Sequence, residues 1–279
     1  MTNRREFLTA MGAVGATGAG FFSSVRGADG TARRLDRIGV QLYTVRDAMQ
    51  ESVERTLERV AAIGYSEVEF AGYYDRSPQQ IRNVLDVNGL SAPAVHVPLE
   101  TLENDWQETV DFAATIGHRY LVAPWIAPAD RTSLDDYRSF AERFNYFGER
   151  ASAAGFIFGY HNHDFEFEPL DGRIPFDLLV EETDPALVKF EMDLYWIIKA
   201  GADPSAYFRN QSGRFPLVHV KDKSVDGSWA DVGAGTIDFA SLFALSEQAG
   251  IRHYIVEHDN PADPFESIAA SYRYLRGLE

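Results

Sequence analysis

Eight short runs rich in Val, Ile, Phe and Tyr recur along the chain, starting about 26 to 38 residues apart: 38–43, 66–71, 92–98, 120–125, 156–161, 188–194, 215–220 and 253–257. Between them the apolar positions change to helical spacing. Val53, Leu57, Val60 and Ala61 form one such stripe; Phe265, Ile268, Ala269, Tyr272 and Leu275 form another. Gly64, Gly89, Gly117, Gly155 and Gly250 each close a helical segment just before the next run, where a residue free to turn left-handed ends a helix. Regular alternation of strand and helix demands parallel strands joined by crossovers. Eight such units predict an α/β fold, a (β/α)8 TIM barrel. A doubly wound sheet would carry a Gly-rich phosphate loop after its first strand, and QLYTVR at 41–46 is not one. Nothing in the composition breaks 36–279, which reads as a single catalytic domain.

Residues 1–35 follow a different pattern and read as an export signal and linker. Arg4 and Arg5 precede a Gly/Ala-rich, weakly apolar run that ends near Phe22, and small residues around Gly27 and Ala28 offer a cleavage site. The paired arginines point to the twin-arginine route and an exported, periplasmic or extracellular, protein. No later stretch is apolar enough to span a bilayer, so no stable membrane insertion is expected once the signal is removed.

Charge and cysteine usage narrow the chemistry. With 42 Asp+Glu against 26 Lys+Arg, a net charge of −16 argues against nucleic acid as a partner, since phosphate contacts need clustered basic groups. The absence of cysteine excludes a disulfide framework and any thiolate centre.

Reacting groups in such a barrel sit at the C-terminal strand ends. Those ends carry Gln41 and Tyr43, Glu69, His96, Trp125, the string Tyr160-His161-Asn162-His163-Asp164, then Glu191 and Asp193, His219 and Lys221, and Glu257 with His258 and Asp259. Polar groups ending apolar strands are costly unless they meet one another, water or a metal. His161, Asp193, His219 and Glu257, two imidazoles and two carboxylates on separate strands, suit one divalent metal ion: Mn²⁺, Co²⁺, Zn²⁺, Fe²⁺ or Mg²⁺. Other members of the set have quieter readings. His96 is either a substrate contact or an imidazole satisfied by the backbone, and Glu69 either reaches substrate or pairs with a base. Lys221, beside Asp222, is either catalytic or part of a surface ion pair. Asp164, Glu166 and Glu168 alternate as a solvated face would. Tyr43, Phe70, Trp125 and Trp196 are candidates for apolar walls of a binding site. The glycine-containing loop 231–238 at the same rim reads as turn chemistry, with Asp238 capping a helix that starts at Phe239.

Five segments in order, FGYHNHDFEF (158–167), FEMDLYW (190–196), LVHVKD (217–222), VGAGTIDF (232–239) and IVEH (255–258), resemble the sugar phosphate isomerase/epimerase family. This is the xylose-isomerase-like barrel superfamily, which also holds endonuclease-IV-type barrels and inosose dehydratases. The resemblance covers 36–279. It implies a metal held by a Glu on strand five, an Asp on strand six, a His on strand seven and a Glu on strand eight. By position these are His161, Asp193, His219 and Glu257, with a departure on strand five. There His161, or His163 of the same parity, stands where relatives have Glu. The ligand charge then only balances the ion, which makes the metal more electrophilic.

What the resemblance implies is a metal-dependent sugar or keto-sugar isomerase or epimerase, working by proton abstraction next to a carbonyl through a metal-stabilised enediolate. Epimerases of this group use glutamates on strands five and eight. The missing strand-five Glu favours a single base with a separate acid, as in 1,2-isomerisation or in the elimination of a dehydratase or lyase acting on a keto-sugar or keto-glycoside. Glu257 is then the base, and Lys221 or His163 the proton donor or oxyanion partner. Tyr43, Glu69, His96, Trp125 and Trp196 are the candidate substrate contacts. A metal-dependent hydrolase and a non-catalytic sugar-binding barrel are the readings of other classes.

Overall fold

The computed structural model describes Leu35 and residues 37–278. The arginine pair, apolar run and cleavage site of the expected export signal lie outside the described residues. No helix among those described is long and apolar enough to cross a membrane.

Eight parallel strands close on themselves in sequence order, with β1 hydrogen-bonded to both β2 and β8. They are β1 (Gly39–Gln41), β2 (Glu67–Phe70), β3 (Ser91–His96), β4 (Tyr120–Ala123), β5 (Ile157–His161), β6 (Val188–Asp193), β7 (Leu217–Val220) and β8 (His253–Val256). Seven lie within the apolar runs, and β3 begins one residue before its run. The expected (β/α)8 barrel is therefore the fold. Its principal outer helices are α1 (Val53–Ile63), α2 (Pro78–Asn88), α3 (Trp106–Ile116), α4 (Leu134–Ala153), α5 (Pro175–Glu182), α6 (Pro204–Asn210), α7 (Phe239–Phe243) and α8 (Pro264–Arg276). On α1, Val53, Leu57 and Val60 turn inward and are fully buried, the face the 3.6-residue period marked out. Gly64 ends this helix at φ +120°, and a Cβ there would lie 2.6 Å from the Tyr272 ring.

Side chains alternate between the two faces of a strand. Residues facing the helices are almost wholly apolar, whereas the inward columns change character along the barrel axis. On β7 the column reads Leu217, His219 and then Lys221; on β8, Ile255 and then Glu257; on β3, Ala94 and then His96. Ala94, Tyr120, Val122, Leu217 and Ile255 form a separate small apolar cluster that fills the middle of the barrel. At the N-terminal end His253 Nδ1 lies 2.8 Å from a Glu67 carboxylate oxygen. The larger set of polar column ends thus gathers at the C-terminal mouth, separated by the apolar middle layer from this pair at the opposite end.

Candidate metal centre

Local sequence fixes each polar column end. Asp193 ends β6 and is also the N-cap of the short helix Leu194–Lys199, its Oδ1 accepting from the Trp196 N–H at 2.9 Å. Capping aims the other oxygen, Oδ2, into the barrel mouth. Asn162, fully buried, ties the neighbouring strand end in place: its Oδ1 accepts from the Asp193 N–H at 3.0 Å. The register sets Asp193 beside His219 across β6 and β7.

His161, Asp193, His219 and Glu257 each offer a donor atom within 4.8 Å of the others, and all four are buried. His161 Nδ1 lies 3.2 Å from the Pro124 carbonyl, which can only accept, so Nδ1 carries the proton. Burial, and next the neighbouring His219, push His161 below the usual imidazole range, so the ring is neutral. Its Nε2 lone pair then faces Asp193 Oδ2 at 3.4 Å, two acceptors opposed in a buried site. A cation between them satisfies both. His219 lies between carboxylates, with Nδ1 2.9 Å from Glu257 Oε2 and Nε2 2.7 Å from Glu69 Oε2. Burial opposes charge on this ring, but Glu191 and Glu257 outweigh burial and raise its pKa well above the ordinary imidazole value, so in the metal-free site both nitrogens donate. A divalent ion would displace the Nδ1 proton and leave Nε2–H on Glu69, the carboxylate–histidine arrangement common beside metals. The donor set therefore fits a divalent ion.

Lys221 is not on the surface. It is 1% exposed, and its Nζ lies 2.6 Å from Glu257 Oε2, 3.0 Å from Asp193 Oδ2 and 3.1 Å from Asp259 Oδ1. Burial opposes its charge, but Asp193 and Glu257 outweigh burial and raise its pKa above the ordinary lysine value. Burial likewise pushes Asp193 and Glu257 up. The Lys221 ammonium, joined at Glu257 by His219, overcomes that and holds both below the usual carboxylate range. Both carboxylates are therefore ionised, as ligation requires.

Glu191, one of the polar strand-end residues, was given no role by the sequence. It is fully buried, and its Oε2 meets His96 Nε2 at 2.7 Å. Its parity with Asp193 on one strand was the available signal. Glu69 is fully buried as well, receiving hydrogen bonds from Gln41 Nε2 at 2.8 Å and from His219.

A cavity of about 660 Å³ opens above this centre. His96, His161, His163, Lys221 and Glu257 line its inner part, and Tyr43 and Trp125, 44% and 48% exposed, stand on its wall. Glu69 and Trp196 are not on that wall. Trp196 lies beside His163, ring centroids 5.4 Å apart. Phe70 is buried in the core outside the strands. A two-stranded hairpin, Asp222–Lys223 against Trp229–Ala230, carries Trp229 to the cavity. At its root the buried Asp222 carboxylate accepts from the backbone N–H groups of Gly233, Gly235 and Ile237 at 2.9, 3.0 and 3.2 Å. A Cβ on Gly235 would lie 2.3 Å from Asp222 Oδ1. The glycine loop closes on this chain's own carboxylate, and Asp238 caps α7 through the Ser241 N–H as expected.

The expected solvated face after β5 is corrected at Glu166, which is fully buried. It accepts from the Tyr160 hydroxyl and from the His163 N–H at 2.8 Å, and so fixes the backbone that presents His163. Burial pushes its pKa up from 4.5 to about 7, against the hydrogen bonds that lower it. A carboxyl whose folded pKa lies above its unfolded value lends stability below pH 4.5 that is lost as pH rises toward 7, here about 3 kcal/mol. The stability of the wild type minus that of Glu166→Gln, from urea unfolding, should fall by this amount between pH 4 and 8. A flat difference would contradict the assignment.

A closed parallel barrel with imidazoles and carboxylates gathered in its C-terminal mouth defines a class of barrels built around a metal-type centre. The profile of the Xylose isomerase-like TIM barrel family matches residues 57–278, and the chain belongs to that family. It is 22% identical over 265 residues to an inosose dehydratase of Geobacillus thermodenitrificans, spanning 80% of this chain and 88% of that protein. Among solved structures it is similar to a sugar phosphate isomerase/epimerase from Parabacteroides distasonis. That likeness has a TM-score of 0.77 and 26% identity and covers 87% of this chain and 95% of the other. The IolI protein with a bound zinc atom shares the fold at a TM-score of 0.67 and 15% identity, over 85% of this chain and 95% of the other.

Proposed function

We propose that this protein is a metal-dependent enzyme that removes a proton next to the carbonyl of an unphosphorylated keto-sugar and eliminates water or a glycosidic oxygen from the adjacent carbon. A divalent ion held by His161, Asp193, His219 and Glu257 would supply Lewis-acid stabilisation to the carbonyl oxygen. The observation that carries the reading is the pairing of one carboxylate base with a separate imidazole acid on the cavity wall.

Glu257 Oε2 is held by Lys221 and faces His219, the side on which the ion would be held, while Oε1 has no partner among the described residues and is free to take the proton. Lys221 keeps its own proton and acts as fixed positive charge near the developing oxyanion. Burial, and next His161, hold His163 neutral, its pKa lowered to about 2. Its Nδ1 is buried without a partner. A buried N–H without an acceptor is a worse state than a buried lone pair, so the proton sits on Nε2, which faces the cavity. His163 is thereby set to protonate the departing oxygen as the C–O bond breaks and the new C=C bond forms. When hydroxide departs, the sum is loss of one water.

Charge supports an unphosphorylated substrate. Of the basic groups on the wall, Lys221 is enclosed by three carboxylates. Arg46 donates to the Tyr43 and Asp259 carbonyls at 2.9 Å each and stacks on the Tyr43 ring. Lys221 is not free to bind a phosphate, and the Nη2 and Nε edge of Arg46 opens onto a cavity also lined by Glu257 and Asp259, whose carboxylates disfavour a phosphate there. The inosose dehydratase relatives favour elimination. The isomerase/epimerase reading draws on the 26%-identical Parabacteroides structure and shares the same first step. An exported location, read from the N-terminal sequence, agrees with free sugars as substrates.

Mn²⁺-loaded protein incubated with inosose or a 3-keto-glucoside in D₂O tests the proposal. Elimination produces a conjugated enone with ultraviolet absorbance. Deuterium incorporation without that absorbance would replace elimination by isomerisation or epimerisation. Neither signal would overturn proton abstraction.

A further inference from the structure

We propose that the barrel mouth holds a second divalent cation, on the far side of His219 from the first, ligated by Glu69, His96 and Glu191. These side chains and His219 place one donor atom each within 4.8 Å of one another. Glu69 and Glu191 are fully buried, on β2 and β6, and His96 ends β3 at the cavity wall, which gives an ion a way in.

The hydrogen bonds within this cluster are incomplete in a specific way. Glu69 Oε2 is satisfied by Gln41 and His219, and Glu191 Oε2 by His96. The second oxygen of each, Glu69 Oε1 and Glu191 Oε1, is buried with no partner. Among the described residues these are the only buried carboxylate oxygens without one, and they fall in the same cluster. Leaving a buried charged acceptor unpaired costs more than the roughly 1–3 kcal/mol of a neutral group. No ammonium or guanidinium of this chain pairs with either carboxylate, since the Lys221 ammonium is engaged on the Nδ1 side of His219 by Asp193, Glu257 and Asp259.

Charge balance points the same way. In the metal-free site Glu69, Glu191, Asp193, Glu257 and Asp259 face the Lys221 ammonium and the rings of His96 and His219, on which the carboxylates outweigh burial and raise the pKa. Metal ions would displace those ring protons: with every imidazole neutral, the form in which imidazole ligates, two divalent ions and Lys221 bring the five carboxylates to a net charge of zero. Two carboxylates and one imidazole suit Mn²⁺, Co²⁺, Zn²⁺ or Fe²⁺. His219 keeps its Nε2–H on Glu69 and does not bridge the two ions.

The number of ions bound per chain tests this without reference to turnover. The full chain is stripped with a chelator and titrated with Mn²⁺, and the bound ion is counted by elemental analysis after gel filtration. Two ions per wild-type chain are expected. Glu191→Gln should retain one, and Glu69→Gln supplies an independent variant, with thermal unfolding confirming that each is folded. Two ions retained in a folded Glu191→Gln would overturn the second site. Asp193→Asn separates the two centres. If the wild type binds one ion and this substitution abolishes it, the first centre stands and the second falls. If Asp193→Asn leaves a single wild-type ion in place, the first centre is the one in error.

Discussion

Replacing Glu257 by glutamine is expected to slow exchange of the substrate α-proton with solvent by about 10²–10⁴-fold, the usual contribution of a positioned general base. Glutamine keeps the shape and one carbonyl oxygen, so the Mn²⁺ site should still fill at millimolar metal although more weakly. The measurement is deuterium uptake into inosose at saturating Mn²⁺. Lys221 holds Oε2, which faces His219, and this leaves Oε1 as the atom that takes the proton. A variant that exchanges at the wild-type rate would leave Glu257 as a ligand only and move the base elsewhere on the cavity wall.

The second large effect concerns stability. Lys221→Met keeps the length of the buried stem and deletes the charge, leaving Asp193, Glu257 and Asp259 without their common cation. Breaking a buried ion pair on one side costs about 3–5 kcal/mol. The metal-free variant should lose stability on that order in urea unfolding at neutral pH. Asp193 and Glu257 have depressed folded pKa values, so the stability they draw from Lys221 is present above the unfolded carboxylate range and disappears as pH falls. The deficit should therefore shrink in acid. It should shrink at neutral pH too when Mn²⁺ is added, because the ion pairs with the same oxygens. A metal-free variant within about 1 kcal/mol of wild type would show that the ammonium does not hold these carboxylates.

The barrel could be read from the chain because two periodicities alternate without interruption and glycine ends the helices. The convergence of His161, Asp193, His219 and Glu257 was legible for a related reason: each ends an apolar run at the same parity, and parallel strands bring such ends to one rim. What could not be read was depth. Glu69 and Glu191 occupy the same inward columns as cavity residues, but the stagger of neighbouring strands sets them below the wall. Stagger is a property of pairing, not of any one strand. Glu166 was misread because its partner is the Tyr160 hydroxyl, brought to it by a turn of 3₁₀ helix that the alternating acidic residues disguised. The surface ion pair weighed for Lys221 rested on Asp222 following it. Asp222 in fact faces the other way, toward the glycine loop.

That loop has a consequence for how the substrate range of the barrel can be altered. Three backbone amides converge on one carboxylate at the base of the hairpin, and the space beside it admits no side chain at position 235. Remodelling for a bulkier substrate therefore belongs at the far end, around Val225, which is 91% exposed. Insertions there can lengthen the overhang while its anchor, and the alignment of Trp229 with the opening, is inherited unchanged.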